Sequence, residues 1–358
     1  MLKTCWQGQG GQALRIFGIV LLFLGIALVA ACEGGEEAAT PTAPAASPTA
    51  TAAVASPTAT AAVASPAPSA AVASPTSPPT AAIPMGKISF SSRRDGNGEI
   101  YLLSPEGEIN MTNNPAEDAE SDLSPDGSKI AFASDRSETE DRIFHIYVVN
   151  VDGSGLVRLT SDAAGDLSPR WSPDGKRIAF SRVGSIYVMD SDGTNVQQVT
   201  ESKPEATAPP CEAGSFLGGW SPDGKQLTFY AASATRQLGQ ICTVNVDGSD
   251  LKVVASEPPT YHVEPSWSPD GEWIVYRFIK SEDDYEINKV KPDGSSMTNL
   301  TNHPAMDIEP DWSPDGEWVV FSSNRGGNFD LYVMKPDGSE LARLTTDPDK
   351  DSDPSWSR

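Results

Sequence analysis

Acidic residues recur at two fixed distances before a tryptophan. Counting back from Trp171, Trp220, Trp267, Trp312 and Trp356, with Leu123 in the same place once, the residues three earlier are Glu120, Ser168, Leu217, Glu264, Glu309 and Asp353. Five earlier stand Asp118, Asp166, Ser215, His262, Asp307 and Asp351. Eight of these twelve are carboxylates. Brought together, they make a strongly negative field that concentrates cations. Their oxygens are hard donors, suited to an ion such as Ca²⁺, which takes about six to eight oxygens, or to a basic partner. The rival reading is local: such carboxylates also bind backbone N–H groups in their own loops. Nucleophilic catalysis has less support. His145, His262 and His303 fall in different repeats, and no Ser or Cys has a recognisable partner.

What positions these residues is a repeat. Ser-Pro-Asp-Gly occurs at Ser124–Gly127, Ser172–Gly175, Ser221–Gly224, Ser268–Gly271 and Ser313–Gly316, at steps of 48, 49, 47 and 45 residues. Pro sets φ for the second place of a type I turn, Asp suits the third, and Gly accepts the left-handed place that follows. Alternating apolar residues come next, as in Lys176-Arg177-Ile178-Ala179-Phe180. A second β-rich run then ends in Asp-Gly, a strong hairpin signal, as in HIYVVNVDGSGLVRLT (145–160) and DLYVMKPDGSELARLT (330–345). Each repeat yields four antiparallel strands, and a period in the forties with several strands per copy predicts a propeller.

The ends of this region complement each other. It opens at Gly86-Lys87-Ile88-Ser89-Phe90, a second strand with no inner strand before it. It stops at Asp353-Pro354-Ser355-Trp356-Ser357, an inner strand with nothing after it. Joining them completes a sixth blade and removes an open sheet edge. The expected fold is all-β: a six-bladed β-propeller of four-stranded antiparallel blades over residues 85–358, closed by pairing of the N- and C-terminal strands. The aligned carboxylates then ring the mouth of a central channel. The tryptophans, one in each of five blades, are packing residues.

The SPDG motifs and the IYxxxxDG hairpins resemble the TolB-like propeller, a relative of the WD40-like propellers. The resemblance covers nearly all of 85–358 and implies a closed six-bladed ring. It stops at the propeller, because a different segment stands where TolB has an α/β domain. Prolyl-oligopeptidase-like enzymes share these repeats but add a hydrolase domain with G-x-S-x-G, which is missing here.

Residues 1–31 read as a signal peptide. Lys3 and Arg15 precede a sixteen-residue apolar run, Ile16 to Ala31, short for a bilayer span but suited to a signal. Val29-Ala30-Ala31-Cys32 resembles the bacterial lipobox, which implies diacylglycerol on the Cys32 sulfur. Two acyl chains suffice for stable anchoring. Residues 32–84 are an Ala/Pro/Thr/Ser-rich tether that repeats ASPTATAAV at 46–54 and 55–63 and cannot build a core. The chain is therefore expected outside the cytoplasm, lipid-anchored, where a disulfide between Cys211 and Cys242 is plausible. A net charge of −23 excludes nucleic acid as a partner. The expected role is that of a monomeric, non-catalytic module that binds an envelope or extracellular protein or peptide at its mouth. The alternative is an envelope enzyme, or a glycan- or cation-binding propeller, using the same acidic funnel. No cofactor is required, with Ca²⁺ the one candidate.

Overall fold

The turn chemistry acts as expected in the computed structural model, which describes residues 86–136, 142–203, 209–233, 238–258 and 260–357. The signal, the Cys32 lipobox and the tether lie outside the described residues. In the first SPDG turn Gly127 N–H donates to Ser124 C=O at 2.7 Å, with Gly127 at φ 64°. Ser124 Oγ donates to Asp126 Oδ1 at 2.6 Å and accepts from Lys129 N–H at 2.9 Å. The Asp-Gly hairpins behave alike: Asp152 Oδ1 accepts from the N–H and the Oγ–H of Ser154. Hydroxyl and amide donors hold these carboxyls below their ordinary pKa.

Six four-stranded antiparallel sheets follow from these turns. In blade 3, for example, the strands from the axis outward are Asp166–Trp171, Arg177–Arg182, Ser185–Asp190 and Gln197–Gln198. The inner strands of blades 2, 4, 5 and 6 are Asp118–Leu123, Ser215–Trp220, Tyr261–Trp267 and Asp307–Trp312. Blade 1 takes its inner strand, Asp351–Ser357, from the chain's end and pairs it with Lys87–Ser92 in register Lys87↔Ser357 and Ile88↔Trp356. Successive inner strands touch all the way round, blade 1 meeting both blade 6 and blade 2. The ring is closed.

The core lies between blades. Ile88, Phe90, Ile130, Phe132, Ile178 and Phe180 of the second strands are fully buried. Each such side chain contributes on the order of 1.5–3 kcal/mol by leaving water. The tryptophans join neighbouring blades: Trp220 Nε1 donates to Arg170 C=O at 3.0 Å and Trp312 Nε1 to Ser266 C=O at 3.3 Å. In blade 4 a disulfide joins Cys211, in the loop before the inner strand, to Cys242 in the third strand.

Candidate functional site

The alternation of a strand sends successive side chains to opposite faces, yet all six inner strands carry a bulge that breaks it. Five of the six residues three before the tryptophan stand at the bulge with positive φ: Glu120 (54°), Ser168 (52°), Glu264 (54°), Glu309 (56°) and Asp353 (52°). The pairing register slips at the same place in blade after blade. A bulge re-aims a side chain, and here it separates the two carboxylate sets that the repeat carries.

The set five before the tryptophan is not on the mouth. Asp118, Asp166, Asp307 and Asp351 are buried, at 1% exposure or less, each paired with an arginine of its own blade. Arg136 reaches Asp118 at 2.6 Å, Arg182 reaches Asp166 at 2.6 Å, Arg325 reaches Asp307 at 2.7 Å and Arg94 reaches Asp351 at 2.9 Å. Each guanidinium also lies over two rings, Phe132 and Tyr147 for Arg136, Phe321 and Tyr332 for Arg325. A buried carboxylate demands such a partner, so these four are braces inside the blades rather than funnel ligands. His262, the fifth residue assigned to the funnel at this level, is also fully buried. It stacks on Tyr276 at 5.2 Å and meets Phe278 edge-on at 5.1 Å.

Carboxylates of the set three before the tryptophan bond across to the neighbouring blade. Glu120 Oε2 accepts from Ser168 N–H at 2.6 Å, Glu264 Oε2 from Glu309 N–H at 3.0 Å, and Glu309 Oε2 from Asp353 N–H at 2.7 Å. Each carboxylate thus caps the bulge of the next blade. Glu264 also meets Arg277 at 2.6 Å and keeps 25% of its side chain open. Removal from bulk water raises Glu120, pushes Glu264 up to about 7 and lifts Asp353 well above the carboxylate range, and the negative charge of Glu309 adds to all three.

A second level escaped the sequence reading. The residues just before the tryptophans are Asp122, Arg170, Gly219, Ser266, Asp311 and Ser355. They lie two residues, roughly 7 Å, further along the inner strands. Asp122 accepts from Trp171 N–H at 2.6 Å and from Ser355 Oγ at 2.9 Å. Asp311 accepts from Trp356 N–H at 2.9 Å and from Ser266 Oγ at 2.7 Å. Burial pushes Asp122 up to about 6 and raises Asp311, against the pull of the Arg170 guanidinium. The same alignment on the tryptophans, taken one residue back, displays this level.

Among the described residues no group of three or more His, Cys, Asp or Glu side chains is arranged to hold a metal ion. The reason is visible in the hydrogen bonds: neighbouring carboxylates turn toward backbone amides instead of toward one another. Among the described residues no helix is long and apolar enough to cross a membrane.

A family model described as the TolB beta propeller domain matches residues 66–183 and 182–358. No curated protein matches the sequence. Among solved structures, TolB from Acinetobacter baumannii is similar at 20% identity and a TM-score of 0.62, over 76% of this chain and 66% of that one. Putative TolB from Agrobacterium tumefaciens matches at 22% identity and a TM-score of 0.56, over 73% and 88%. Kuenenia stuttgartiensis hydrazine synthase matches at 17% identity and a TM-score of 0.62, over 76% of this chain and 46% of that one.

Proposed function

Because the chain belongs to the TolB beta propeller domain family, we propose that it is an extracytoplasmic lipoprotein, anchored through Cys32, whose propeller is a non-catalytic binding module for an envelope or extracellular protein. The functional face is the mouth of the channel. One observation supports this: Glu120, Glu264, Glu309 and Asp353 stand at inner-strand bulges with positive φ in four different blades, where the charge of Glu309 acts on the other three. A non-glycine residue in the left-handed region costs on the order of 1 kcal/mol or more, and like charges brought together cost more. A basic segment entering the mouth relieves that repulsion. The tether over 32–84 stands the module off the membrane, on the order of 100 Å if extended.

The test combines Glu264→Gln, Glu309→Gln and Asp353→Asn in one variant. Capture from envelope extract, compared between this variant and the wild type, is expected to lose a protein that the wild type retains. Capture that is identical while stability rises refutes the mouth as the binding face. Calorimetric titration with Ca²⁺ in the same preparations separates a protein-binding mouth from a cation-binding one.

A further inference from the structure

Blade 4 lacks a fastening that four other blades share. In blades 1, 2, 3 and 6 a phenylalanine of the second strand stands opposite a tyrosine of the third: Phe90↔Tyr101, Phe132↔Tyr147, Phe180↔Tyr187 and Phe321↔Tyr332. An arginine lies over each pair and holds the buried aspartate that opens the inner strand. The brace pins that strand to the rest of its blade. Blade 5 keeps an ion pair in another form, Arg277 with Glu264. In blade 4 every member of the brace is replaced. Ser215 stands in the aspartate's place, fully buried, and its Oγ has no hydrogen-bond partner among the described residues. Ser233 stands four residues after Phe229, where blades 1, 2 and 6 have arginine. Opposite Phe229, in the tyrosine's place, is Cys242. Among the described residues no ion pair joins the first two strands of this blade; its pairs lie elsewhere.

The Cys211–Cys242 bond stands in for the brace. It joins the loop four residues before Ser215 to the third strand and closes 31 residues of chain. Both cysteines are buried, at 2% and 0% exposure, and share an apolar cluster with Phe229 and Trp220 of their own blade and Ile186 and Val188 of blade 3. Cys211 N–H donates to Gln240 Oε1 at 3.2 Å, and Ser215 N–H to Gly184 C=O of blade 3 at 2.7 Å. The inner strand so held reads Ser-Phe-Leu-Gly-Gly-Trp, and its register slips between Leu217 and Gly219. Its two glycines add no side-chain packing and lose the most freedom on ordering. A covalent bond does here what charge does elsewhere in the ring. Unlike an ion pair, it exists only where thiols are oxidised.

We propose that the Cys211–Cys242 bond is the brace of blade 4 and makes this blade a redox-sensitive segment of the ring. With the bond, residues 211–220 are held against blade 3 and the third strand. When a dithiol reduces it, two electrons and two protons pass to the cystine, the S–S bond breaks into two thiols, and the dithiol closes to its own disulfide. Residues 211–220 then open locally, while the five blades with ionic braces stay closed. The inference does not depend on which face of the ring binds a partner.

The experiment follows hydrogen exchange, peptide by peptide, on the full chain in detergent before and after dithiothreitol, with thiols at Cys211 and Cys242 counted by alkylation and peptide mass. Exchange at Ser215–Trp220 and around Cys242 is expected to rise about 30-fold or more on reduction, with Asp118–Leu123 and Asp307–Trp312 unchanged. Cys211→Ala with Cys242→Val supplies the same state where the reductant fails to reach the buried sulfurs, and should exchange alike with and without it. A further variant grafts the missing brace: Cys211→Ala, Ser215→Asp, Ser233→Arg and Cys242→Tyr. It is expected to regain protection at Ser215–Trp220 in the presence of dithiothreitol. Free thiols at both cysteines of the untreated chain, unchanged exchange at Ser215–Trp220 once the bond is absent, or a rise spread evenly over all six blades overturns the proposal. So does a grafted chain whose other five blades are protected as in the wild type while Ser215–Trp220 exchanges as in the cysteine-free variant.

Discussion

Replacing His262 by phenylalanine should remove an acid-sensitive weakness from blade 5. The imidazole is fully buried between Tyr276 and Phe278, its Nδ1 has no hydrogen-bond partner among the described residues, and Nε2 has Thr260 Oγ1 at 3.3 Å. Burial alone pushes its pKa down from 6.5 to about 4. The folded chain therefore keeps the ring neutral where the unfolded chain protonates it. Stability is complete above the unfolded value and is lost as the pH falls from 6.5 toward 4. A full separation of 2.5 units corresponds to about 3.4 kcal/mol, and at about pH 5 the loss is about 2 kcal/mol. Phenylalanine preserves the ring stacking and cannot take a proton. Thermal melts of the wild type and His262→Phe at about pH 8 and pH 5 give the comparison. The variant's advantage should grow by about 2 kcal/mol on acidification, or about 4 °C in midpoint for a domain of this size. The channel carboxylates act in the opposite direction, since their raised values make the fold bind protons that the unfolded chain has released. They are present in both proteins and cancel. If the difference between the two melts is the same at both pH values, His262 does not titrate from a buried neutral state and the reasoning fails.

Asp307→Ala strands Arg325, whose side chain is 6% exposed, and should cost about 3–5 kcal/mol in urea unfolding; Lys252→Ala breaks the open pair with Asp250 and should cost under about 1 kcal/mol. Equal effects would deny the arginine braces a structural role. Asp122→Asn removes a carboxylate raised to about 6 from 3.8, so it should stabilise by up to about 3 kcal/mol above pH 6 and by nothing below pH 4, read from paired melts across that range. Deleting Pro354 to Arg358 opens the ring at blade 1, and the cooperative transition should collapse; a melt like that of the intact chain refutes closure by that strand. Cys32→Ala should leave unprocessed precursor without lipid, and mass spectrometry showing cleavage elsewhere with Cys32 unmodified in the wild type refutes the anchor.

The repeat itself determined the ring. SPDG and Asp-Gly turns are closed by their own side chains, so four strands per blade could be drawn from local chemistry, and the unmatched ends at Lys87 and Trp356 foretold how blade 1 is assembled. What spacing alone does not carry is which carboxylate pairs inside its own blade and which bonds across to the next. Glu120 and Asp118 are two residues apart and on an ideal strand would share a face, yet the bulge at the first turns it to the next blade's backbone and leaves the second inside its own blade. A trace of this was legible: Arg94, Arg136 and Arg325 stand four residues after Phe90, Phe132 and Phe321, and Arg182 stands two after Phe180. The two blades that have Ser215 and His262 in place of Asp lack an arginine so placed. A buried carboxylate needs a counter-charge, and only the folded blade, by bringing strands one and two together over an aromatic pair, decides that these aspartates have theirs.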